Sequence, residues 1–420
     1  MKNDPLDARE NRLNEINHLM TPDNTIILVK ANIPGTNKNI REAHLLVRLF
    51  CLKIQNLYPL KKAEIKVSPD GPYCLFAVDT NNSLDIKKHM VMIEETHPLG
   101  RFIDLDVFHL NQFSLSRTDL HIPNRKCYLC NQDALFCSRN QTHPVDSLIG
   151  FIENQVRSYL RNIVTKIVHQ AIITELNLDD KFGLVSKSSQ GSHQDMDYLL
   201  MVKAEKAILP YLVDLFEVGF TSDHLSNLLE QTRPIGIAAE QEMLQMTQGV
   251  NAYKGLIFIL GLALLATGYA LSHQQDFYGI YSNVKIISET ILDDFKKDQL
   301  TAGHKAYQTY KMTGIRGEAY RGISSVQSAM KLLTDDEDLT LRNVLKYLIL
   351  VSEDTVFLKR AGNIENYNEI KEELKQTDVT QINQLKAFNK KMIQKHISFG
   401  GAADLLIVAI FLNLIRKEFY

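Results

Sequence analysis

Asp104 and Asp106 stand two residues apart in Gly100-Arg101-Phe102-Ile103-Asp104-Leu105-Asp106-Val107-Phe108, a run otherwise rich in β-branched and aromatic residues. Strand periodicity puts both acids on one face with Phe102 and Phe108, and turns Ile103, Leu105 and Val107 to the other. Two carboxylates brought together away from water are costly unless a cation lies between them, and hard oxygen ligands suit Mg²⁺ held against substrate phosphates. The pattern is that of a nucleotidyl-transfer site. A strand that runs from core to surface and ends in two solvated acids has the same composition, so the pair needs support from elsewhere in the chain.

Two further constellations share this part of the sequence. Asn32-Ile33-Pro34-Gly35-Thr36-Asn37-Lys38 has the parts of a phosphate-binding loop: a fixed turn, close backbone approach at Gly35, amide and hydroxyl donors, and the charge of Lys38. Its spacing fits no Walker pattern, and an ordinary strand-to-helix turn reads alike. Cys127 and Cys130, followed by Cys137 and His143, offer up to four soft or borderline ligands for a structural Zn²⁺. Buried thiols are the other reading.

The elements that must position these residues follow from periodicity. A helix within residues 1–20 with Leu6, Leu13, Ile16 and Met20 on one side, an extended run over 25–30, a helix over 41–57, a strand over 73–78 and the diacid strand make an α+β pattern confined to the first third. From Val145 onward the periods are helical, and residues 145–175 read as one nearly continuous helix. Breaks at 177–180, Gly219, Pro234-Ile235-Gly236 and Gly362 predict about ten helices. The expected architecture is an α+β nucleotidyltransferase-like domain over 1–155, followed by an all-α multi-helical domain over 156–420 with buried central helices.

A chain of 420 residues exceeds one ordinary core at roughly 150 residues per domain. Its net charge of −2 supplies no basic field for nucleic acid or an anionic membrane, so phosphate-bearing partners must be held locally. Five cysteines, an odd number, and an N-terminus without the apolar core of a signal peptide point to a reducing cytoplasm. Residues 255–271 approach the ~20 residues of a spanning helix, but they lack an aromatic belt and a basic flank. Residues 400–415 contain Asp404. Both runs read as buried helices of a soluble domain rather than membrane spans.

Several ordered blocks carry a resemblance. His97-Pro98-Leu99-Gly100-Arg101 with Asp104-Leu105-Asp106, Ser116-Arg117, Arg125-Lys126-Cys127-Tyr128-Leu129-Cys130, Cys137-Ser138-Arg139 and His143-Pro144 resemble holo-citrate lyase synthase over residues 20–150. The resemblance implies transfer of a phosphoribosyl-dephospho-CoA group to a serine of the citrate lyase acyl carrier protein, with release of pyrophosphate. It implies that Asp104 and Asp106 hold Mg²⁺ while Lys38 and Arg101 neutralise phosphates, with Asn32 and Gly35 in the loop beside them.

In the second part, polar glycine-containing loops precede the two most apolar helices. Asn251 can cap the first of these, leaving free N–H groups and Lys254 at its positive end, and Gly400-Gly401 with Asp404 repeat the arrangement before the last helix. Other polar islands are residues 192–197 with Asp195 and Asp197, then Glu240, Arg316-Gly317-Glu318-Ala319, Asp354-Thr355 and Lys359-Arg360. Each has a plain structural reading as a helix cap, a solvated pair or a C-terminal charge.

Taken together, Phe182-Gly183-Leu184-Val185, Gly191 through Asp197, Gly236 through Glu240, Gly249-Val250-Asn251 with Lys254-Gly255, Arg316 through Ala319, Asp354-Thr355 and Gly400 through Asp404 resemble triphosphoribosyl-dephospho-CoA synthase over residues 165–420. The resemblance implies displacement of adenine from ATP by the ribose 2′-hydroxyl of 3′-dephospho-CoA. It assigns acid and metal roles among Asp195, Asp197, Glu240, Asp354 and Asp404, and phosphate contacts to Lys254, Arg316 and Arg360. The chain departs from the family pattern at Ala252-Tyr253, where Thr-His is usual, and at Lys181-Phe182 and Phe399, where prolines are usual. A zinc-stabilised binding scaffold, a nucleic-acid polymerase and a metal-dependent ADP-ribose glycohydrolase are the competing classes; a basic stripe interleaved with aromatics, which the polymerase reading needs, is absent from the sequence.

Overall fold

The computed structural model describes residues 4–58, 64–110, 112–296, 301–335 and 337–420. Two compact units divide the chain, Met1–Asn162 with Glu418–Tyr420, and Ile163–Lys417. In the first, α1 (Pro5–Leu19), β1 (Thr25–Ala31), α2 (Arg41–Leu57), β2 (Lys66–Ser68), β3 (Gly71–Val78), α3 (Ser83–Thr96), β4 (Ile103–His109), β5 (Gln112–Leu115) and α4 (Ala134–Arg139) follow in order. The strands form one sheet in the order β2-β3-β1-β4-β5, and every pairing is antiparallel. Strand β1 is central because its buried Ile26, Ile27, Leu28 and Val29 face apolar layers on both sides.

The β1–β4 register pairs Ile26 with Phe108, Leu28 with Asp106 and Lys30 with Asp104. Ile26, Leu28, Tyr73 and Phe108 pack with Ile16 of α1 in one cluster. Asp106 and Asp104 therefore continue the α1-facing side beyond its apolar part, while Leu105 and Val107 are buried on the opposite side toward α2 and α3. Phe102 departs from the expected strand. It lies in a 3-10 turn, Gly100–Phe102, and packs edge-on against Tyr128 at 5.2 Å and Phe151 at 6.1 Å. The turn forms because Gly100 lies against the Glu94 carbonyl, where a Cβ has no room.

The remaining helices run α5 (Val145–Asn177), α6 (Tyr198–Thr221), α7 (Leu228–Met246), α8 (Lys254–Ser272), α9 (Gly279–Ile287), α10 (Ala302–Tyr310), α11 (Gly314–Tyr320) and α12 (Ser324–Ala329). They continue as α13 (Asp338–Val351), α14 (Thr355–Ala361), α15 (Ile364–Gln376), α16 (Ile382–Gln394) and α17 (Gly400–Phe419). No strand occurs after β5 among the described residues. The helices outnumber the expected ten, and two expected breaks are continuous helix. Gly219 lies inside α6 and Pro234 inside α7. Pro234 cannot donate to the carbonyl of Glu230, and Glu230 is exposed to solvent.

Helix α8 is long and apolar enough to cross a membrane, yet 83% of its apolar window is buried inside the protein, packed chiefly on α6, α7 and α9. Leu405 through Leu412 of α17 are likewise buried. Both are core helices, as their all-round apolar composition predicts.

Gly219 of α6 lies on the Leu265 carbonyl of α8, and Gly268 of α8 lies on the Phe216 carbonyl of α6. A Cβ at either place meets backbone rather than a yielding side chain. Gly219→Ala and Gly268→Ala should therefore each destabilise the second unit by about 1–3 kcal/mol, the range for overpacking a tight core. Equilibrium denaturation checks this, with Gly236→Ala as the control because nothing lies within 4 Å of its added methyl.

Candidate active sites

In the first unit the acid pair is held by a second layer of charge. Glu94 of α3 has only 3% of its side chain exposed, receives Arg117 at 3.0 Å and Arg125 at 2.6 Å, and accepts the Leu105 N–H at 2.9 Å. Lys87, also on α3, donates to the Leu105 carbonyl at 3.1 Å. Helix α3 thus satisfies both backbone groups of Leu105, sparing the penalty of about 1–3 kcal/mol for each buried polar group left unpaired. Arg125 then reaches Asp104 at 2.7 Å.

Asp104 keeps 39% of its side chain exposed. Even so, the surrounding protein excludes enough water to push its carboxyl up to about 6; Arg125 opposes this rise, and Asp106 and Glu94 add to it. Burial raises Asp106 as well, against the pull of Lys87. Two carboxylates on one face, each favoured by a neighbouring positive charge, form a donor set that fits a divalent cation.

Beside the pair lies a surplus of positive charge that sequence reasoning missed. Asp70, with 1% side-chain exposure, takes Arg9 at 3.2 Å, Arg12 at 2.8 Å and Lys30. Burial lowers the Lys30 ammonium despite its bond to Asp70. Burial also lowers Lys38, with the charge of Lys30 adding to the effect; its Nζ folds back to the Ile33 carbonyl. Three cations on one acid leave a field suited to anions.

A cavity of about 670 Å³ lies along the loop and the cysteine segment. Asn32, Gly35, Lys38 and Arg101, all expected at the site, line it with Arg125 and Tyr128, which were not assigned roles. Gly35 takes φ +79 and lies against Val145. The Tyr128 hydroxyl donates to the Asn32 carbonyl at 3.0 Å, and Arg101 donates to the Cys127 carbonyl at 2.8 Å. Cys127, Cys130, Cys137 and His143 bring their ligand atoms within 4.8 Å of one another.

In the second unit the expected residues divide between two cavities that share Lys254 and Gly255. The larger, about 520 Å³, is lined by Asn251, Lys254, Arg360, Gly400 and Asp404, together with the unassigned Glu175, His193, Tyr253 and Ser398. Glu240 and Arg316 line the smaller one, about 270 Å³. Asn251 accepts the Lys254 N–H at 3.2 Å, as a cap should, while the Lys254 ammonium pairs with Glu240. Arg316 is drawn instead toward Asp294, 3.8 Å away, and the Phe295 ring.

Three of the acids given acid and metal roles, Asp195, Asp197 and Asp354, line neither cavity. Asp197 caps α6 by accepting the Leu200 N–H at 2.7 Å. Asp195 is 62% exposed and lies 3.9 Å from His193. Asp354 accepts from Val356 and Phe357 at 2.9 Å and from Ala402 at 3.1 Å, so one carboxylate caps the starts of both α14 and α17, and Gly401 leaves room for it. Its place is to join two helix ends. Asp404 differs: burial holds its carboxyl well above the usual range, reinforced by Asp354 and Glu175. The Gly255 backbone fits against it only because Gly255 has no Cβ.

Around Asp404 the cavity wall is highly ordered. Glu175 pairs with the fully buried Lys181 at 2.6 Å, so the departure at Lys181 supplies a countercharge. Arg360, which has only donors, contacts His193 Nδ1 at 3.0 Å; this leaves Nε2 to carry the proton toward Ser398 Oγ, also at 3.0 Å. Burial and Arg360 hold this imidazole down at about 4, hence neutral. The Tyr253 hydroxyl is buried and has no hydrogen-bond partner among the described residues, an unmet donor at the cavity wall.

The sequence model of the family described as apo-citrate lyase phosphoribosyl-dephospho-CoA transferase (CitX) matches residues 3–159, and that of ATP:dephospho-CoA triphosphoribosyl transferase (CitG) matches residues 162–420. "Protein CitXG" of Leuconostoc mesenteroides subsp. cremoris is 30% identical over 97% of this chain and 95% of its own length. The chain belongs to the CitXG family. A second CitXG, from Haemophilus influenzae, is 31% identical over 78% of this chain and 76% of its own length. A protein of Haemophilus ducreyi named 2-(5″-triphosphoribosyl)-3′-dephosphocoenzyme-A synthase is 31% identical over 67% of this chain and 98% of its own. As a CitXG protein the chain is a transferase that serves synthesis of the citrate lyase prosthetic group.

A divalent cation bound at Asp104 and Asp106 would compete with the proton that binds Asp104 near pH 6. Its affinity should be level above pH 7 and weaken as pH falls through 6, by about tenfold per unit for each proton displaced. Calorimetric titration of the full chain with Mg²⁺ between pH 5 and pH 8 checks this; a flat profile would remove these carboxylates as ligands.

Proposed function

We propose that the two units perform successive steps, the second making a triphosphoribosyl-dephospho-CoA and the first delivering it to the acyl carrier protein of citrate lyase, in the cytoplasm. In the second unit, the 2′-hydroxyl oxygen of 3′-dephospho-CoA bonds to C1 of the ATP ribose as the bond to adenine breaks, and the hydroxyl proton leaves with the base. The ribose passes through an oxocarbenium-like state, which negative groups near C1 stabilise. Asp404 and Glu175 are those groups. A developing cation favours ionisation of Asp404, which burial and its acidic neighbours otherwise resist. Lys254 and Arg360 restrain the triphosphate, and Tyr253 offers its unmet donor to the substrate.

The first unit acts as a nucleotidyltransferase. A carrier-protein serine oxygen bonds to the α-phosphorus, the bond to pyrophosphate breaks, and the serine proton is released to solvent. Asp104 and Asp106 would hold Mg²⁺, which when bound neutralises phosphate charge. Arg125 fixes Asp104, and Lys30, Lys38 and Arg9 form the positive wall for the triphosphate. The observation that carries the reading is the location of the raised carboxyls: Asp104 and Asp106 beside surplus cations, and Asp404 facing Gly255 at a helix start.

Mass spectrometry of the carrier protein, incubated with the full chain, ATP, dephospho-CoA and Mg²⁺, should show addition of the phosphoribosyl-dephospho-CoA unit. Asp104→Asn should cut that transfer by about 100-fold or more, the scale of losing electrostatic stabilisation, while adenine release continues. Gly255→Ala should do the reverse. Its methyl displaces the Asp404 carboxylate, and a shift of ~1 Å near the reacting atoms costs on the order of 100-fold in adenine release. Adenine release that proceeds equally without dephospho-CoA would contradict the assigned acceptor.

A further inference from the structure

The cysteine segment folds without an apolar core of its own. Cys127 and Cys137 are buried, but Leu135 and Phe136 of α4 are each 55% exposed and Leu129 is 39% exposed. A short hairpin shapes it: Cys127 N–H donates to the Gln132 carbonyl at 2.8 Å, Lys126 bridges to Asp133, and Asp133 caps α4. These local bonds bring three sulfurs and an imidazole to one point.

Cys130 Sγ lies 3.5 Å from Cys137 Sγ and 3.3 Å from His143 Nε2. The sulfur separation is far beyond the S–S bond of about 2.05 Å, and three thiols cannot all pair among themselves. Tetrahedral zinc, with Zn–S of about 2.3 Å and Zn–N of about 2.0–2.1 Å, sets its ligand atoms roughly 3.5–3.8 Å apart. The Cys130–Cys137 and Cys130–His143 spacings are close to that size, and all four ligand atoms lie within 4.8 Å of one another.

We propose that Cys127, Cys130, Cys137 and His143 bind one Zn²⁺ as a closed structural site, and that this metal holds the arm that braces the diacid strand. Thiolate and imidazole ligands select Zn²⁺ over the hard cation suited to Asp104 and Asp106. With four protein ligands no position stays open, so the metal activates no water. Its effect is on position. Arg125 begins the hairpin and fixes Asp104, while Tyr128 sits between Cys127 and Cys130 and bonds the Asn32 carbonyl of the phosphate-side loop. The Cys127 carbonyl in turn receives Arg101. Losing the metal frees the segment that carries these contacts, so the consequence for transfer rests on the function proposed above, whereas metal binding does not.

Elemental analysis of the full chain, purified without chelator from zinc-supplemented cells, should find about one Zn²⁺ per molecule, as four-ligand sites hold. Cys130→Ser and Cys137→Ser should lose it, and Cys51→Ala, at a buried cysteine remote in sequence, should keep it. Cobalt substitution of the wild-type chain should give the strong visible absorption of tetrahedral thiolate ligation, a test that does not depend on any variant folding. A folded wild-type chain with no zinc and no such cobalt spectrum, or with a Cys130–Cys137 disulfide in its place, would overturn the site. Zinc removal should lower carrier-protein modification by about 10- to 100-fold, as loss of a supporting shell does, and leave adenine release unchanged. Zinc loss with full carrier modification would overturn the bracing role and leave the metal site standing. A chain that binds zinc but performs neither reaction would count against the proposed function alone.

Discussion

A carboxylate taken out of water must find positive charge or N–H donors, and the way each buried acid meets that demand shapes both units. Glu94 meets it fully, with two arginines and a backbone N–H. In doing so it closes the bare edge of β4 and presents Arg125 to Asp104. Asp70 collects three cations and anchors α1 to the sheet. Asp354 spends its acceptors on two helix starts. These satisfied acids build the scaffold.

The acids left short of partners are the ones the proposed reactions use. Asp104 has one arginine and a carboxylate neighbour, and burial together with that neighbour raises its affinity for a proton. Asp404 is held up by burial, and its acidic neighbours reinforce the rise. A group in that state gains most when a cation, or a cationic transition state, enters its pocket. One physical condition thus recurs on an antiparallel sheet and in a helical bundle.

In the helical unit the two most apolar helices explain where the pocket lies. Their all-round apolar surfaces keep α8 and α17 at the centre, and the starts of both helices line one cavity. Gly255 and Gly400 then line the cavity, and the absent side chain of Gly255 makes space for Asp404.

Local chemistry made part of this legible from the residues alone. Period-two alternation placed Asp104 and Asp106 on one face, all-round apolar runs marked the central helices, and C-x-x-C spacing pointed to clustered ligands. Asp197 read as a cap and is one. Continuity of α6 and α7 was not legible, because Gly219 is explained only by a carbonyl on α8 and Pro234 only by the exposure of Glu230. Arg316 and Arg360 look alike in sequence, yet the fold sends one to Asp294 and the other to His193. Glu94, Asp70, Glu175 and Lys181 gave no local signal, since their partners or cavities are set by neighbours remote along the chain or by burial. Sequence by itself determined which residues could carry charge, bind metal or cap a helix, because those properties reside in a residue and its near neighbours. Tertiary structure alone decided which acids are satisfied and which remain to work, because that depends on how much water and how many donors folding leaves beside each one.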